Sequence, residues 1–156
     1  KRTNDKVVIV FMGYGEFEKK IKSDSKLYNN IFFHEAVSPD VILNYTASAD
    51  VGIALIENTC LSYNFCMPNK LFEYAMCGLP VIVSNMIEMS NFVKTHQMGI
   101  TIMNDTAENV NFTIDKLLNM DLNKLKENAK KAALANSWEN QEKKMITVYQ
   151  KFLKRV

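Results

Sequence analysis

Pro68, Asn69, Lys70 and Glu73 fall within one stretch, Met67-Pro68-Asn69-Lys70-Leu71-Phe72-Glu73-Tyr74-Ala75-Met76-Cys77-Gly78, whose residue types suit a phosphorylated ligand. Proline is favoured as the first residue of a helix, where its missing N–H costs nothing, so Pro68 would leave the amides of Asn69 and Lys70 free and pointing outward. The helix dipole puts partial positive charge at that end and Lys70 adds a full one. Glu73 follows about one turn later, in reach of hydroxyls on the same ligand. Gly78 then ends the helix, and Leu79-Pro80 turns the chain into Val81-Ile82-Val83, a β-branched run expected of a strand covered on both faces. The stretch reads as half of a nucleotide site.

The surrounding pattern says what would position that site. Apolar runs near residues 7–12, 31–34, 51–56, 80–83 and 100–103 alternate with helical stretches, the signature of crossover units around a parallel sheet. The fold class is therefore α/β, an open, parallel, Rossmann-like sheet with helices on both faces. Pro39, capped by Ser38, suits a helix through about Ser48, and Thr106 suits the cap of a helix reaching Asn119. Ligands of such sheets bind outside the carboxyl ends of the strands. That rule puts Gly13 and Gly15, Glu35-Ala36-Val37, the loop 57–67 and the helix start at 68–73 on one rim. The two glycines serve a tight strand-to-helix turn, a close backbone approach to a phosphate or sugar, or both. The loop offers Glu57, Asn58, Thr59, Ser62, Tyr63 and Asn64, which read as surface decoration or as polar contacts to a substrate. His34, a single histidine ending an apolar strand, reads as a core residue with one satisfied nitrogen rather than as a base.

Taken in order, these pieces resemble the nucleotide-sugar-binding C-terminal domain of the retaining glycosyltransferases of family 4, which have the two-domain GT-B fold. Gly13-Tyr14-Gly15 after Val7 to Met12 looks like the family's strand and glycine-rich turn. Ile31-Phe32-Phe33-His34 looks like its next strand, Ser48 to Leu55 like a further one, and Ser137-Trp138-Glu139 like the start of its final helix. The family signature is two glutamates separated by seven residues. Glu73 fits the second, whose implied role is to bind the ribose hydroxyls. The first falls on Phe65, which cannot accept a hydrogen bond from a sugar. The resemblance implies a donor-binding domain that takes a nucleoside diphosphate sugar, with Pro68, Asn69, Lys70, Glu73, Gly13 and Gly15 as binding residues. It also implies that Glu35, Ala36 and Val37 meet the base. No metal or other cofactor is implied, and no catalytic residue is assigned.

The same comparison implies that residues 1–156 are a single but partial domain. The family's first strand of this domain, the Arg and Lys that follow it, and the acceptor-binding N-terminal domain are not matched, and Lys1 and Arg2 lie too close to the first strand to replace the missing cations. The expectation is a fragment inactive by itself, from an enzyme of cell-surface polysaccharide or glycolipid synthesis whose acceptor is a saccharide or lipid-linked saccharide. Without a central first strand, the strands at 7–12 and 51–56 are expected to close up and pair directly, in preference to exchanging a strand with another chain.

Composition bounds the alternatives. A chain of 156 residues with 47% hydrophobic content can bury a core unaided. Its three cysteines, Cys60, Cys66 and Cys77, match no zinc spacing and read as thiols of a reducing compartment. No apolar run approaches the ~20 residues of a membrane span, and there is no signal peptide. A cytoplasmic protein is expected, peripheral at most to the inner face of the membrane. A net charge of +2 argues against a nucleic-acid binder. From Lys116 onward, however, ten Lys or Arg face four acids, a run that reads as solvated helix faces or else as a basic face held near an anionic lipid surface. Trp138, Met145, Val148, Tyr149 and Phe152 recur there at helical spacing. The simplest expectation is a helix packed on its own domain; the resemblance implies instead a last helix that crosses back to the N-terminal domain, and without that domain part of the stripe would be bare and favour self-association.

Three other classes compete. A nicotinamide-dependent oxidoreductase would use Gly13-Tyr14-Gly15 and Glu35, but Glu18 stands where that fingerprint needs its third glycine. A non-catalytic interaction module would need acids at strand ends, whereas Asp50 lies at a strand start. A sugar-nucleotide epimerase-like domain of the same architecture is the third.

Overall fold

The computed structural model describes residues 7–153. Lys1 and Arg2, together with Lys154 and Arg155 of the basic tail, lie outside the described residues. The described chain forms two compact units that divide between Asn44 and Tyr45.

The first unit pairs β1 (Ile9–Met12) with β2 (Ile31–His34) in parallel, Ile9 opposite Ile31 and Met12 opposite His34. Between them runs α1 (Glu18–Leu27), which packs on β2, and α2 (Pro39–Thr46) follows. The Ser38 hydroxyl accepts from the Asp40 amide at 3.3 Å, the cap expected there.

The second unit is built on β3 (Gly52–Ala54), β4 (Val81–Ser84) and β5 (Gly99–Ile102), all parallel, with β4 central. After β3 come the short α3 (Leu61–Asn64) and then α4 (Asn69–Met76). The later helices are α5 (Ile87–His96), α6 (Ala107–Leu118), α7 (Leu122–Ala135) and α8 (Trp138–Leu153). All four residues of β4 are buried, as the β-branched run requires. Val81 and Val83 join Leu71, Ala75, Met89, Phe92 and Ala129 in the main core. Ile82 points to the opposite face of the sheet. On β5, α6 packs with Ile114 and Leu117 buried, so this sheet is covered on both sides. Burying three such branched side chains contributes about 1.5–3 kcal/mol each. Thr106 caps α6 by accepting from the Asn109 amide, as its position predicts.

The parallel α/β class expected from sequence is what forms. The arrangement of strands differs in one respect: β1 hydrogen-bonds to β2, and β3 to β4, so among the described residues the strands form two sheets and the expected direct pairing of β1 with β3 does not occur. An apolar pattern identifies a strand, whereas its neighbour is set by backbone pairing that the pattern does not encode.

Candidate functional site

The start of α4 carries the polar groups singled out by sequence, one position later than expected. Pro68 is the residue that precedes the helix, with φ −74° and ψ 144°, and the helix proper begins at Asn69. The Pro68 carbonyl accepts from the Leu71 amide at 3.0 Å, but proline brings no side-chain acceptor and none caps the helix. The amides of Asn69 and Lys70 consequently have no hydrogen-bond partner among the described residues, which is the outcome the earlier placement of Pro68 also required. Asn69 and Lys70 are exposed and Glu73 is half-buried.

Three contacts hold this helix on the sheet. Leu71 and Ala75 are fully buried. The Tyr74 hydroxyl donates to the Ile53 carbonyl at 3.2 Å, and the Tyr74 ring lies where a Cβ on Gly52 would stand, within 2.4 Å of it, so only glycine fits there. The far end is closed by a left-handed Gly78 at φ +68°. Its amide donates to the Ala75 carbonyl at 2.9 Å, and the Leu79 amide reaches back to the Tyr74 carbonyl at 2.9 Å, the paired bonds of a Schellman motif.

Glu73 forms no ion pair among the described residues, yet its charge is felt along the helix. Burial pushes the Tyr74 phenol and the Cys77 thiol above their ordinary values, and the Glu73 carboxylate adds to both shifts by opposing a second negative charge.

The segment entering α4 is shaped by contacts that the sequence did not reveal. Ser84, at the end of β4 and only 6% exposed, accepts from the Ile56 amide at 2.7 Å and so fixes where the chain leaves β3. A serine closing an apolar strand was the only available signal. The Cys66 thiol lies 3.7 Å from the Met89 sulfur, tying the other end of the segment to α5. Between these ties, part of the expected loop is the single turn α3, and it exposes Leu61, Tyr63 and Phe65. Phe65, at the position of the family's first glutamate, ends that turn and is 51% exposed. Glu57, Asn58, Thr59 and Ser62 are exposed as well.

In the first unit, the Gly13 amide donates to the His34 carbonyl at 3.2 Å, bringing the glycine turn beside the residues that follow β2. Gly13 has φ +137°, which side-chain-bearing residues rarely adopt, so the turn itself calls for glycine there. Gly15 lies at φ +158°, and no atom lies within 4 Å of where a Cβ would stand on either residue. Glu35 is exposed and stands 3.6 Å from Lys22, which also pairs with Glu18 at 2.7 Å. The Glu18 bond raises the Lys22 ammonium above its ordinary value, ahead of the opposing effect of burial. Ala36 is exposed and Val37 half-buried. His34 is exposed, not a core residue as its place in an apolar strand suggested; its Nδ1 donates to the Glu35 carbonyl at 2.7 Å. A short strand with one open face leaves its last side chain in solvent.

The predicted residues thus form two groups, each assembled within its own unit: Gly13, Gly15, Glu35, Ala36 and Val37 in the first, and Pro68, Asn69, Lys70 and Glu73 in the second. Among the described residues, no three His, Cys, Asp or Glu gather as metal ligands. No described helix is long and apolar enough to cross a membrane.

Comparison with known proteins gives three findings. Residues 1–120 match the family model "Glycosyl transferases group 1". Similar solved structures include WaaG, a glycosyltransferase involved in lipopolysaccharide biosynthesis, with 21% identity and a TM-score of 0.60 over 83% of this chain and 34% of that one. Sucrose-phosphate synthase from Thermosynechococcus elongatus is 17% identical, with a TM-score of 0.68 over 94% of this chain and 39% of that one. No curated protein matches the sequence. The chain therefore spans between a third and two fifths of the length of these two structures.

Proposed function

The chain belongs to the group 1 glycosyl transferases, and from that premise we propose that it binds the donor of the reaction, a nucleoside diphosphate sugar. The observation that carries this reading is the start of α4. Two backbone amides there lack partners among the described residues, Lys70 stands among them, and Glu73 sits one turn along on the same helix. In this reading the amides of Asn69 and Lys70 and the Lys70 ammonium take the diphosphate, and the Glu73 carboxylate accepts from the ribose hydroxyls.

The chemistry of such a site is chiefly electrostatic. As the bond between sugar and diphosphate breaks, negative charge grows on the leaving phosphate, and donors already aimed at it lower the barrier more than they stabilise the intact donor. The sugar passes to the acceptor with its anomeric configuration retained. Within the first unit, Gly13 and Gly15 are assigned to a close backbone approach to phosphate or sugar, and Glu35 to Val37 to a nucleotide base. Phe65 supplies no acceptor for the sugar hydroxyls, so polar contacts to the sugar fall to the 57–67 segment, with Glu57 and Tyr63 the candidates. The acceptor, a saccharide or lipid-linked saccharide of polysaccharide or glycolipid synthesis, is assigned to a part of the enzyme that this chain does not span.

A thermal-shift panel of UDP, GDP, ADP, their sugar conjugates and NADH tests the reading. One nucleoside diphosphate should raise the melting temperature, since a ligand at about 100 times its dissociation constant adds about 2.7 kcal/mol. The matching nucleoside should do markedly less. Equal stabilisation by nucleoside and diphosphate would remove the phosphate site, and a response to NADH alone would move the chain to dinucleotide chemistry.

A further inference from the structure

Strand β3 stops where a side chain of its neighbour takes over from the backbone. The Gly52 amide donates to the Pro80 carbonyl at 2.9 Å, and Ala54 lies opposite Val83. A parallel ladder advances two residues at a time, so its following bonds would join the Ala54 amide to the Ile82 carbonyl and the Ile56 amide to the Ser84 carbonyl. The last of these is replaced. The Ser84 carbonyl accepts instead from the Met86 amide at 2.8 Å, and the Ile56 amide donates to the Ser84 hydroxyl at 2.7 Å.

Ser84 is a firm point for that bond. It is 6% exposed and lies opposite Ile102 of β5, whose carbonyl accepts from the next amide, that of Asn85, at 2.9 Å. From Ile56 the chain leaves the sheet as the segment 57–67. Inside the segment, the Thr59 amide donates to the Glu57 carbonyl, and the Tyr63 and Asn64 amides donate to the Cys60 carbonyl. These bonds shape the segment without attaching it to the rest of the unit. Among the described residues, two polar ties do that: Ser84 at its entry, and the Cys66 thiol against the Met89 sulfur at its exit. A thiol and a thioether are a weak donor and a weak acceptor, so Ser84 is the stronger tie.

The segment runs directly into Pro68 and the bare amides of α4. In a nucleoside diphosphate sugar the sugar hangs one oxygen beyond the second phosphorus, so a segment bordering the phosphate donors is in reach of the sugar. We propose that Ser84 is the positioning residue for the donor sugar: acting through the Ile56 amide, it holds the segment so that Glu57 and Tyr63 meet the sugar, and it touches no part of the ligand itself. The inference rests on the donor-site reading and adds to it the residue that decides how firmly the sugar, as distinct from the nucleotide, is held. The phosphate donors are fastened separately, by Tyr74 and Gly78. Loss of the Ser84 hydroxyl therefore leaves the segment to be ordered anew on binding, and that cost falls on the sugar.

Calorimetry on the 156-residue chain with UDP, UDP-glucose, UDP-N-acetylglucosamine, GDP and GDP-mannose tests the proposal. The quantity read is the ratio of the Kd of a sugar conjugate to that of its parent diphosphate. For the conjugate that binds best, Ser84→Ala should raise this ratio about threefold to tenfold, the cost of ordering one further side chain. Ser84→Thr, which keeps the hydroxyl, should restore the wild-type ratio. Ser90→Ala, which removes an equally buried hydroxyl that has no partner among the described residues, should leave the ratio alone. Each variant is measured below its own melting transition, followed by circular dichroism, so that partial unfolding lowers every affinity alike and cancels in the ratio. Diphosphate binding with an unchanged ratio in Ser84→Ala overturns the positioning role and leaves the donor site standing. An equal rise in Ser84→Thr or in Ser90→Ala also refutes it, because packing and not the bond to Ile56 would then be responsible. If the unaltered chain binds neither diphosphate, the donor site itself fails and the role of Ser84 falls with it.

Discussion

Two buried serines in the second unit invite the same substitution with opposite expected results. Ser84 and Ser90 are 6% and 4% exposed, and replacing either by alanine removes one hydroxyl. The Ser84 oxygen accepts from the half-buried Ile56 amide at 2.7 Å. Ser84→Ala leaves that N–H without its acceptor, a loss of about 1–3 kcal/mol. For a chain of this size it corresponds to a fall of roughly 2–10 °C in melting temperature. The Ser90 hydroxyl, inside α5, has no partner among the described residues. Removing it orphans nothing, lifts the cost of a buried unpaired hydroxyl, and gains about 0.5 kcal/mol from the better helix propensity of alanine. A net gain of roughly 0.5–1.5 kcal/mol follows, or a rise of about 1–5 °C. Urea unfolding followed by circular dichroism measures both, with the slopes compared to confirm that the unfolded states match. Equal losses for the two variants would show that burial alone, rather than the bond to Ile56, sets the cost. The argument that Ser84 fixes the departure of the chain from β3 would then fail.

Three further outcomes are expected. Glu73→Gln should weaken nucleoside diphosphate binding by about 1–3 kcal/mol, roughly fivefold to 150-fold, by calorimetry; wild-type affinity in a folded variant would take the ribose role from Glu73. Lys70→Ala should cost only about 1 kcal/mol at moderate salt if the α4 amides carry most of the phosphate binding, and the loss should shrink as salt rises. Because burial, and then the Glu73 charge, hold the Cys77 thiol above its ordinary value, less of it is thiolate at a given pH. At about pH 8.5 the exposed Cys60 should be alkylated by iodoacetamide before Cys77. Glu73→Gln should speed Cys77, and mass spectrometry of a time course would expose the contrary order.

The sequence was most legible where a local rule and a buried strand agree. Pro68, Gly78 and the run Val81-Ile82-Val83 each state a backbone preference, and α4 with β4 follows from them within one residue. Thr106 and Ser38 marked helix starts for the same reason. The turn α3 escaped notice because Leu61-Ser62-Tyr63-Asn64 has neither a capping side chain nor enough length for a periodic signal. Ser84 was missed because its partner, Ile56, lies 28 residues away, and no local pattern announces a bond of that span. The stripe on α8 was visible as a stripe, but periodicity tells which residues share a face and not what covers it. The same limit explains why five strands could be found while their division into two sheets could not.

The fastening of α4 has a consequence for how tightly a ligand can be held. The helix is clamped at its far end by the two bonds around Gly78 and, one turn before that glycine, by Tyr74 against Ile53 and Gly52, so the end bearing the bare amides is the tip of a stiff beam. A phosphate arriving there would meet donors already in place, and little chain entropy would be spent in ordering them. Affinity at such a tip should respond weakly to temperature-driven loosening of the surface, and strongly to anything that weakens the root. Substitutions at Gly78, at the root of the beam, or at Gly52 of β3, against which Tyr74 rests, would then act on ligand binding as loss of preorganisation without touching the ligand.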